Sequence, residues 1–128
     1  MRVLVVDDER LMRSAVARCF LDHDVWTASR ATEALALLKG SAYFDVIICD
    51  IEMGGMCGDE LYVEVLAHAP ERAPHFLFVT GGALSERAQT FIETVPNPVL
   101  LKPFKTSTLR QVAVAVAFDA AGGPSRRT

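Results

Sequence analysis

Short runs of apolar residues alternate along the chain with longer segments in which apolar residues recur every three or four positions. The first run, 3–6, is continuous and β-branched, which is typical of a parallel strand buried on both faces. The segment that follows it has apolar residues at helical spacing. Four further pairs of this kind predict a mostly parallel sheet with intervening helices. The predicted strands are 3–6, 25–28, 44–49, 76–79 and 98–101, and the predicted helices are 9–23, 31–39, 59–69, 83–94 and 106–119.

The ends of several elements carry residues with known positional preferences. Gly40 follows the second predicted helix and is expected to end it. Thr106 or Ser107 is predicted to be the N-cap of the fifth helix. The glycine-rich and polar segment 120–128 lacks helical spacing and predicts a flexible tail or linker stub. We therefore predict one domain over 1–119.

Composition narrows the classes of protein that fit. The chain has 128 residues, of which 51% are hydrophobic and 23% charged, as expected for one compact domain. Its apolar runs are much shorter than the ~18 residues of a membrane span, and Asp7 comes too early for a signal peptide. We therefore expect a cytoplasmic protein without membrane contact. The net charge is −3 and basic residues are dispersed apart from Arg126-Arg127, so direct nucleic-acid binding is not expected.

Polar residues follow four of the five predicted strands. They are Asp7 and Asp8 after the first strand, Asp50 after the third, Thr80 after the fourth and Lys102 after the fifth. Ligands of open parallel sheets bind beyond the carboxyl ends of the strands. Carboxylates brought together there would repel one another, and a divalent cation such as Mg²⁺ would relieve the repulsion. A lysine and a hydroxyl suit phosphoryl oxygens, so the set predicts phosphoryl transfer to a carboxylate.

The segments around these residues resemble the receiver domain of response regulators and hybrid histidine kinases, over about residues 2–119. Each segment is a weak signal alone, but all four occur in order at the ends of strands. They are Val-Val-Asp-Asp-Glu ending at Glu9, Asp-Ile-Glu-Met-Gly-Gly-Met-Cys-Gly from Asp50 to Gly58, Thr80-Gly81, and Lys102-Pro103-Phe104.

The resemblance implies a flavodoxin-like (βα)5 fold, in which a doubly wound, five-stranded parallel sheet has the order 2-1-3-4-5. It also implies a role for each residue at the strand ends. Asp50 would be the phosphoacceptor, and Mg²⁺ would be bound directly by Asp8, Asp50 and the backbone carbonyl of Glu52, with Asp7 assisting through water. Thr80 and Lys102 would hold the phosphoryl group. Structural or switching roles would fall to Gly81, Val99 and Pro103, the last of which would follow a cis peptide bond. The implied partner is a histidine kinase or a histidine phosphotransfer protein, and we expect a monomer or weak dimer.

Some positions differ from the family pattern or vary within it. Val99 stands where many receivers have tyrosine or phenylalanine, so output through that ring is not expected, and the fourth helix or simple availability for phosphotransfer would replace it. Gly54 and Cys57 replace a common proline and a common aspartate without removing an implied ligand. Glu52 and Gly82 occupy positions that tune dephosphorylation in the family, and an acidic group there could help or hinder an attacking water.

Two other functions remain open at this point. A haloacid-dehalogenase-like phosphatase also uses an aspartyl phosphate, but its Asp-x-Asp motif would require aspartate where Glu9 follows Asp7, and the chain has no room for a cap domain. A receiver that binds partners without phosphorylation would not need the acidic set with Thr80 and Lys102. We therefore expect a signalling domain rather than an enzyme, one that assists its own phosphorylation and dephosphorylation. It would be the receiver of a hybrid sensor histidine kinase or a single-domain response regulator.

Overall fold

The computed structural model describes residues 1–122, so the pair Arg126-Arg127 and most of the predicted tail lie outside the described residues. Within that range strands and α-helices alternate, with a 3₁₀ helix at Pro70–His75. The strands are β1 (Arg2–Val6), β2 (Asp24–Ala28), β3 (Val46–Asp50), β4 (Phe76–Thr80) and β5 (Val99–Leu101), and the helices are α1 (Arg10–Arg18), α2 (Ala31–Lys39), α3 (Gly58–His68), α4 (Glu86–Thr94) and α5 (Thr106–Ala120).

All strand pairs are parallel, and the sheet has the order β2-β1-β3-β4-β5. The expected fold class and strand order are therefore confirmed. Because β1 and β3 are neighbours, with Val6 paired to Cys49, the residues that follow this pair lie side by side at one edge of the sheet. The strand order thus decides which polar residues meet.

The apolar strands are buried because helices cover both faces of the sheet. Successive side chains point to opposite faces, so Leu4 and Ile47 pack in a core with α2, α3 and α4, whereas Val5 and Ile48 pack with α1 and α5. Leu109 of α5 is fully buried in the second core. Two apolar layers on one sheet account for the continuous apolar runs of the central strands.

Three boundaries differ from the predictions by more than one residue, at the end of α1 and at the starts of β3 and α4. Helix α1 ends at Arg18 rather than at 23, because the chain turns there and buries Phe20 before β2. Strand β3 begins at Val46 rather than at 44, and its last residue is Asp50 rather than 49. Helix α4 begins at Glu86 rather than at 83, where Ser85 caps it by accepting a hydrogen bond from the Ala88 amide at 3.1 Å.

The predicted N-cap of α5 is wrong. Thr106 is the first helical residue, and Lys105 is the N-cap without a side-chain capping bond. A residue at the first helical position has helical backbone angles, whereas an N-cap residue has an extended backbone. None of the described helices is long and apolar enough to cross a membrane.

Candidate functional site

Three carboxylates meet at the carboxyl ends of β1 and β3. Asp7 directly follows β1, Asp8 comes next, and Asp50 ends β3. One oxygen from each carboxylate lies within 4.8 Å of the others. Asp7 and Asp50 are buried, at 2% and 8% exposure, while Asp8 is exposed. Hard divalent cations are bound by oxygen ligands of this kind, so the cluster has a suitable donor set for Mg²⁺.

Burial makes the anionic forms of the two inner carboxylates costly. It is the main cause that raises the pKa of Asp50 to about 6, with Lys102 opposing the shift and Asp7 adding to it. The pKa of Asp7 is also raised, mainly by burial, although the Glu9 amide donates a hydrogen bond to its Oδ1 at 2.9 Å. The pocket is therefore an environment in which added positive charge is stabilising.

Lys102 supplies the positive charge that the described residues bring to the pocket. Its Nζ lies 3.9 Å from Oδ2 of Asp7 and 3.9 Å from Oδ2 of Asp50. The Lys102 amide donates to the carbonyl of Thr80 at 2.7 Å, which holds the end of β5 against the end of β4. The ammonium group is thus held beside two of the three carboxylates.

Gly81 and Pro103 are neighbours of Lys102, the first in space and the second in sequence. A Cβ atom on Gly81 would lie 2.9 Å from Cβ of Lys102, closer than side chains approach one another, so glycine makes room for the lysine. The Lys102–Pro103 peptide bond is cis, as the resemblance implied. Val99 is half-buried and packs against the core that α2, α3 and α4 cover.

Two buried polar atoms at this edge lack a hydrogen-bond partner among the described residues, Oγ1 of Thr80 and Oδ2 of Asp7. Thr80 is the last residue of β4 and is fully buried. A buried polar atom left without a partner costs about 1–3 kcal/mol. A cation at the carboxylate and an acceptor oxygen at the hydroxyl would each offset that cost.

The loop after Asp50 is hydrogen-bonded to the acidic cluster. The amide of Gly54 donates to Oδ2 of Asp8 at 2.8 Å, and the amide of Gly58 donates to the carbonyl of Ile51 at 2.8 Å. A proline at position 54 would have no N–H for the first bond. The loop is therefore attached to the acidic cluster at the glycine that distinguishes it from the family pattern.

The Glu52 side chain belongs to a different group of contacts. Its Oε1 lies 3.2 Å from an Nη2 of Arg87 and accepts a hydrogen bond from the Ser85 hydroxyl at 3.3 Å. Arg87 also donates from Nε to Oδ2 of Asp59 at 2.7 Å. Sequence reasoning missed this group of contacts, because its members come from three elements and no motif marks Arg87.

Arg13 is a second residue that sequence reasoning missed. Its Nη1 donates to the backbone carbonyl of Asp7 at 2.8 Å, so α1 holds the turn that carries the acidic pair. The prediction of α1 placed Arg13 in the first turns of a helix directly after Asp8, which was a signal for this contact.

The family model described as the response regulator receiver domain matches residues 3–114. The chain belongs to this family. The receiver is 31% identical over 116 residues to the chemotaxis protein CheY of Pseudomonas aeruginosa, which covers 87% of this chain and 91% of that protein. It is also 36% identical over 120 residues to the virulence sensor protein BvgS of Bordetella pertussis, covering 87% of this chain but 10% of that protein.

Solved structures give the same family. The receiver superposes on the Vibrio cholerae chemotaxis protein CheY4 with a TM-score of 0.73 and 31% identity, over 90% of this chain and 97% of that one. A CheY-like receiver domain protein from Methanospirillum hungatei has a TM-score of 0.79 over 94% and 95% of the two chains, and at 23% identity it supports the fold alone. The protein is therefore a receiver domain of two-component signalling, as the resemblance implied.

Proposed function

We propose that Asp50 is the phosphoacceptor of this receiver, and that Mg²⁺ binds at Asp7, Asp8 and Asp50 with the backbone carbonyl of Glu52. The observation that carries the proposal is the meeting, at one edge of the sheet, of three carboxylates within 4.8 Å and the Lys102 ammonium 3.9 Å from two of them. Of the two buried members, Asp50 ends a strand inside the cluster and has the more exposed side chain, at 12% against 3% for Asp7. That placement suits a group that must meet a phosphodonor.

The chain's own residues suit an in-line displacement. A carboxylate oxygen of Asp50 attacks the phosphorus of a phosphohistidine, the bond from phosphorus to the imidazole nitrogen breaks, and the imidazole leaves with that electron pair and is then protonated. Lys102 and the Thr80 hydroxyl, which has no hydrogen-bond partner among residues 1–122, bind the phosphoryl oxygens. A bound Mg²⁺ neutralises negative charge on the phosphoryl group and on the carboxylates.

The donor that we propose is a histidine kinase or a histidine phosphotransfer protein, and the domain would act over residues 1–119 in the cytoplasm as a monomer or weak dimer. The sequence predicted two contexts, a single-domain regulator or one domain of a longer sensor protein, and relatives of both lengths support them. CheY of Pseudomonas aeruginosa is matched over 91% of its length, whereas the match to BvgS covers 10% of that sensor protein. We therefore propose that the domain is either a single-domain regulator or the receiver of a hybrid kinase.

The decisive experiment is phosphotransfer to wild type and Asp50→Asn, with acetyl phosphate and with phosphorylated kinases, on a phosphate-affinity gel. We expect the shifted band to be lost in Asp50→Asn, since the amide is a poor nucleophile, while circular dichroism shows an unchanged fold. Asp22→Asn is the matched control, because Asp22 is exposed and pairs with Arg110 outside the acidic cluster. A shifted band that persists in Asp50→Asn would refute the assignment.

The same variants test the phosphatase alternative. Repeated turnover of p-nitrophenyl phosphate that is lost in Asp7→Asn and retained in Asp50→Asn would place the nucleophile after β1. We expect no such turnover, because Glu9 stands where that phosphatase motif needs its second aspartate.

A further inference from the structure

Glu52 lies in the loop that follows Asp50, and its carboxylate is not a member of the three-carboxylate cluster. It is two residues after Asp50 and two before Gly54, and the Gly54 amide is 2.8 Å from Oδ2 of Asp8. The backbone that carries Glu52 is therefore held at both ends beside cluster members. A glutamate side chain has three rotatable bonds, so its carboxylate can take several positions unless another group holds it.

Arg87 and Ser85 hold that carboxylate on the side of α4. Oε1 of Glu52 accepts from the Ser85 hydroxyl at 3.3 Å and lies 3.2 Å from Nη2 of Arg87. Both partners lie at the start of α4, where Ser85 is the N-cap. The negative charge of Glu52 is thereby paired at the helix rather than added to the pocket.

The guanidinium is itself anchored by a buried group. Nε of Arg87 donates to Oδ2 of Asp59 at 2.7 Å, and the Asp59 side chain is 9% exposed while that of Arg87 is 47% exposed. The planar guanidinium binds two carboxylates at once through separate N–H groups. Asp59 therefore fixes the position of Arg87, and Arg87 fixes the more exposed Glu52.

We propose that Arg87 is a positioning residue that keeps the Glu52 carboxylate out of the magnesium pocket and so sets the affinity of the pocket for Mg²⁺. The inference rests on the proposed function, because it concerns the same cation site. With Arg87 in place the pocket has three carboxylates and one ammonium. Without Arg87 the Glu52 carboxylate turns toward the pocket as a fourth negative group, and Mg²⁺ binds more tightly.

The test measures Mg²⁺ binding by isothermal titration calorimetry. Removing Arg87 alone would leave Asp59 as a buried unpaired charge, so the comparison is made in the Asp59→Asn background, where that cost is absent. From Asp59→Asn to Asp59→Asn/Arg87→Gln we expect the Kd for Mg²⁺ to fall by about threefold to tenfold, the effect of one charge near a divalent ion at the rim of a protein. Adding Glu52→Gln to both variants should abolish the difference.

A control variant is available at the opposite edge of the sheet. Arg2→Gln also removes an arginine that pairs with an aspartate, Asp24, and should leave the Kd for Mg²⁺ unchanged. Circular dichroism and urea unfolding establish that each variant is folded at the temperature of the titration.

Each other outcome contradicts the inference in a distinct way. An unchanged Kd in Asp59→Asn/Arg87→Gln would show that Glu52 does not enter the pocket. A lower Kd that persists with Glu52→Gln would show that the charge of Arg87 itself acts on the cation, without Glu52. Failure of wild type to bind Mg²⁺ would refute the proposed site together with this inference, whereas the first two outcomes leave that site intact.

Discussion

Burial of the Asp50 carboxyl group links its chemistry to the stability of the domain. The pKa of Asp50 is about 6 in the folded protein, against an ordinary value of 3.8, and burial is the largest cause. Between these two pH values the folded state binds more protons than the unfolded state. The free energy of unfolding therefore falls as pH rises through this window, and it stays lower above pH 6.

We predict that Asp50→Asn stabilises the metal-free protein at pH 7.5 by about 2 kcal/mol, since the amide carries no charge to bury. Near pH 4 the difference should almost vanish, because the carboxyl group is then protonated in the folded state. Urea unfolding in the presence of EDTA at pH 4, 6 and 7.5 measures both quantities. A stability gain that does not depend on pH would contradict the prediction.

Asp22 provides a control in which the pKa of the carboxyl group is lowered rather than raised. Its hydrogen bonds from Arg110 lower the pKa of the Asp22 carboxyl to about 2. The stability that the Asp22–Arg110 pairing contributes is present above the ordinary pKa of the carboxyl group, and it is lost as pH falls through the pKa of the folded state. Asp22→Asn should therefore leave stability at pH 7.5 unchanged or slightly lower, rather than raise it.

At the scale of elements, the junction between β3 and α3 keeps Asp50 in place. Gly58 is the first residue of α3, and it packs directly on the backbone of β3 and the loop after it. A Cβ atom at Gly58 would lie 2.3 Å from the carbonyl oxygen of Asp50 and 2.9 Å from Cα of Ile51. Both contacts are with backbone atoms, which a side-chain rotation does not relieve.

We predict that Gly58→Ala destabilises the domain by about 3 kcal/mol or more and slows phosphorylation by acetyl phosphate, because α3 must move away from Asp50, the proposed phosphoacceptor. Gly54→Ala is the matched control in the same loop, since its Cβ would make an ordinary 3.5 Å contact with Oδ2 of Asp8. Urea unfolding and the initial phosphorylation rate are the measurements. Equal stability of the two variants would show that the helix start is more adaptable than this geometry allows.

At the scale of the whole molecule, one sheet separates two cores that depend on each other. Leu61 of α3 belongs to the core with α2 and α4, and Leu109 of α5 belongs to the core with α1. Both side chains are fully buried. The central strands contribute alternate side chains to both cores, so loss of either layer exposes the strands that the other layer needs.

We predict that Leu61→Ala and Leu109→Ala each lower the free energy of unfolding by about 2–5 kcal/mol while unfolding remains a single transition. Leu21→Ala is the control, because Leu21 is 78% exposed and its change should be within about 0.5 kcal/mol. Far-ultraviolet circular dichroism and Trp26 fluorescence should give coincident urea curves. Separate transitions for the two probes would show that the layers unfold independently.

The sequence by itself determined the alternation of strands and helices and the polar residues at the strand ends. Hydrophobic periodicity is a local property, so runs such as 3–6 and 76–79 predict strands directly. The strand order was available through the resemblance of the motifs around Asp7, Asp50 and Lys102, and not through periodicity. Boundaries near Arg18 and Glu86 were missed, because turns there depend on how neighbouring elements pack.

Only the tertiary structure decided which of these residues touch. Pairing of β1 with β3 brings Asp7 and Asp50 together, and the end of β5 brings Lys102 to 3.9 Å from both. The contacts of Arg87 with Glu52 and Asp59 join residues 28 to 35 positions apart. Such contacts follow from the packing of α3, α4 and the loop after Asp50 on one sheet, and no local pattern in the chain encodes them.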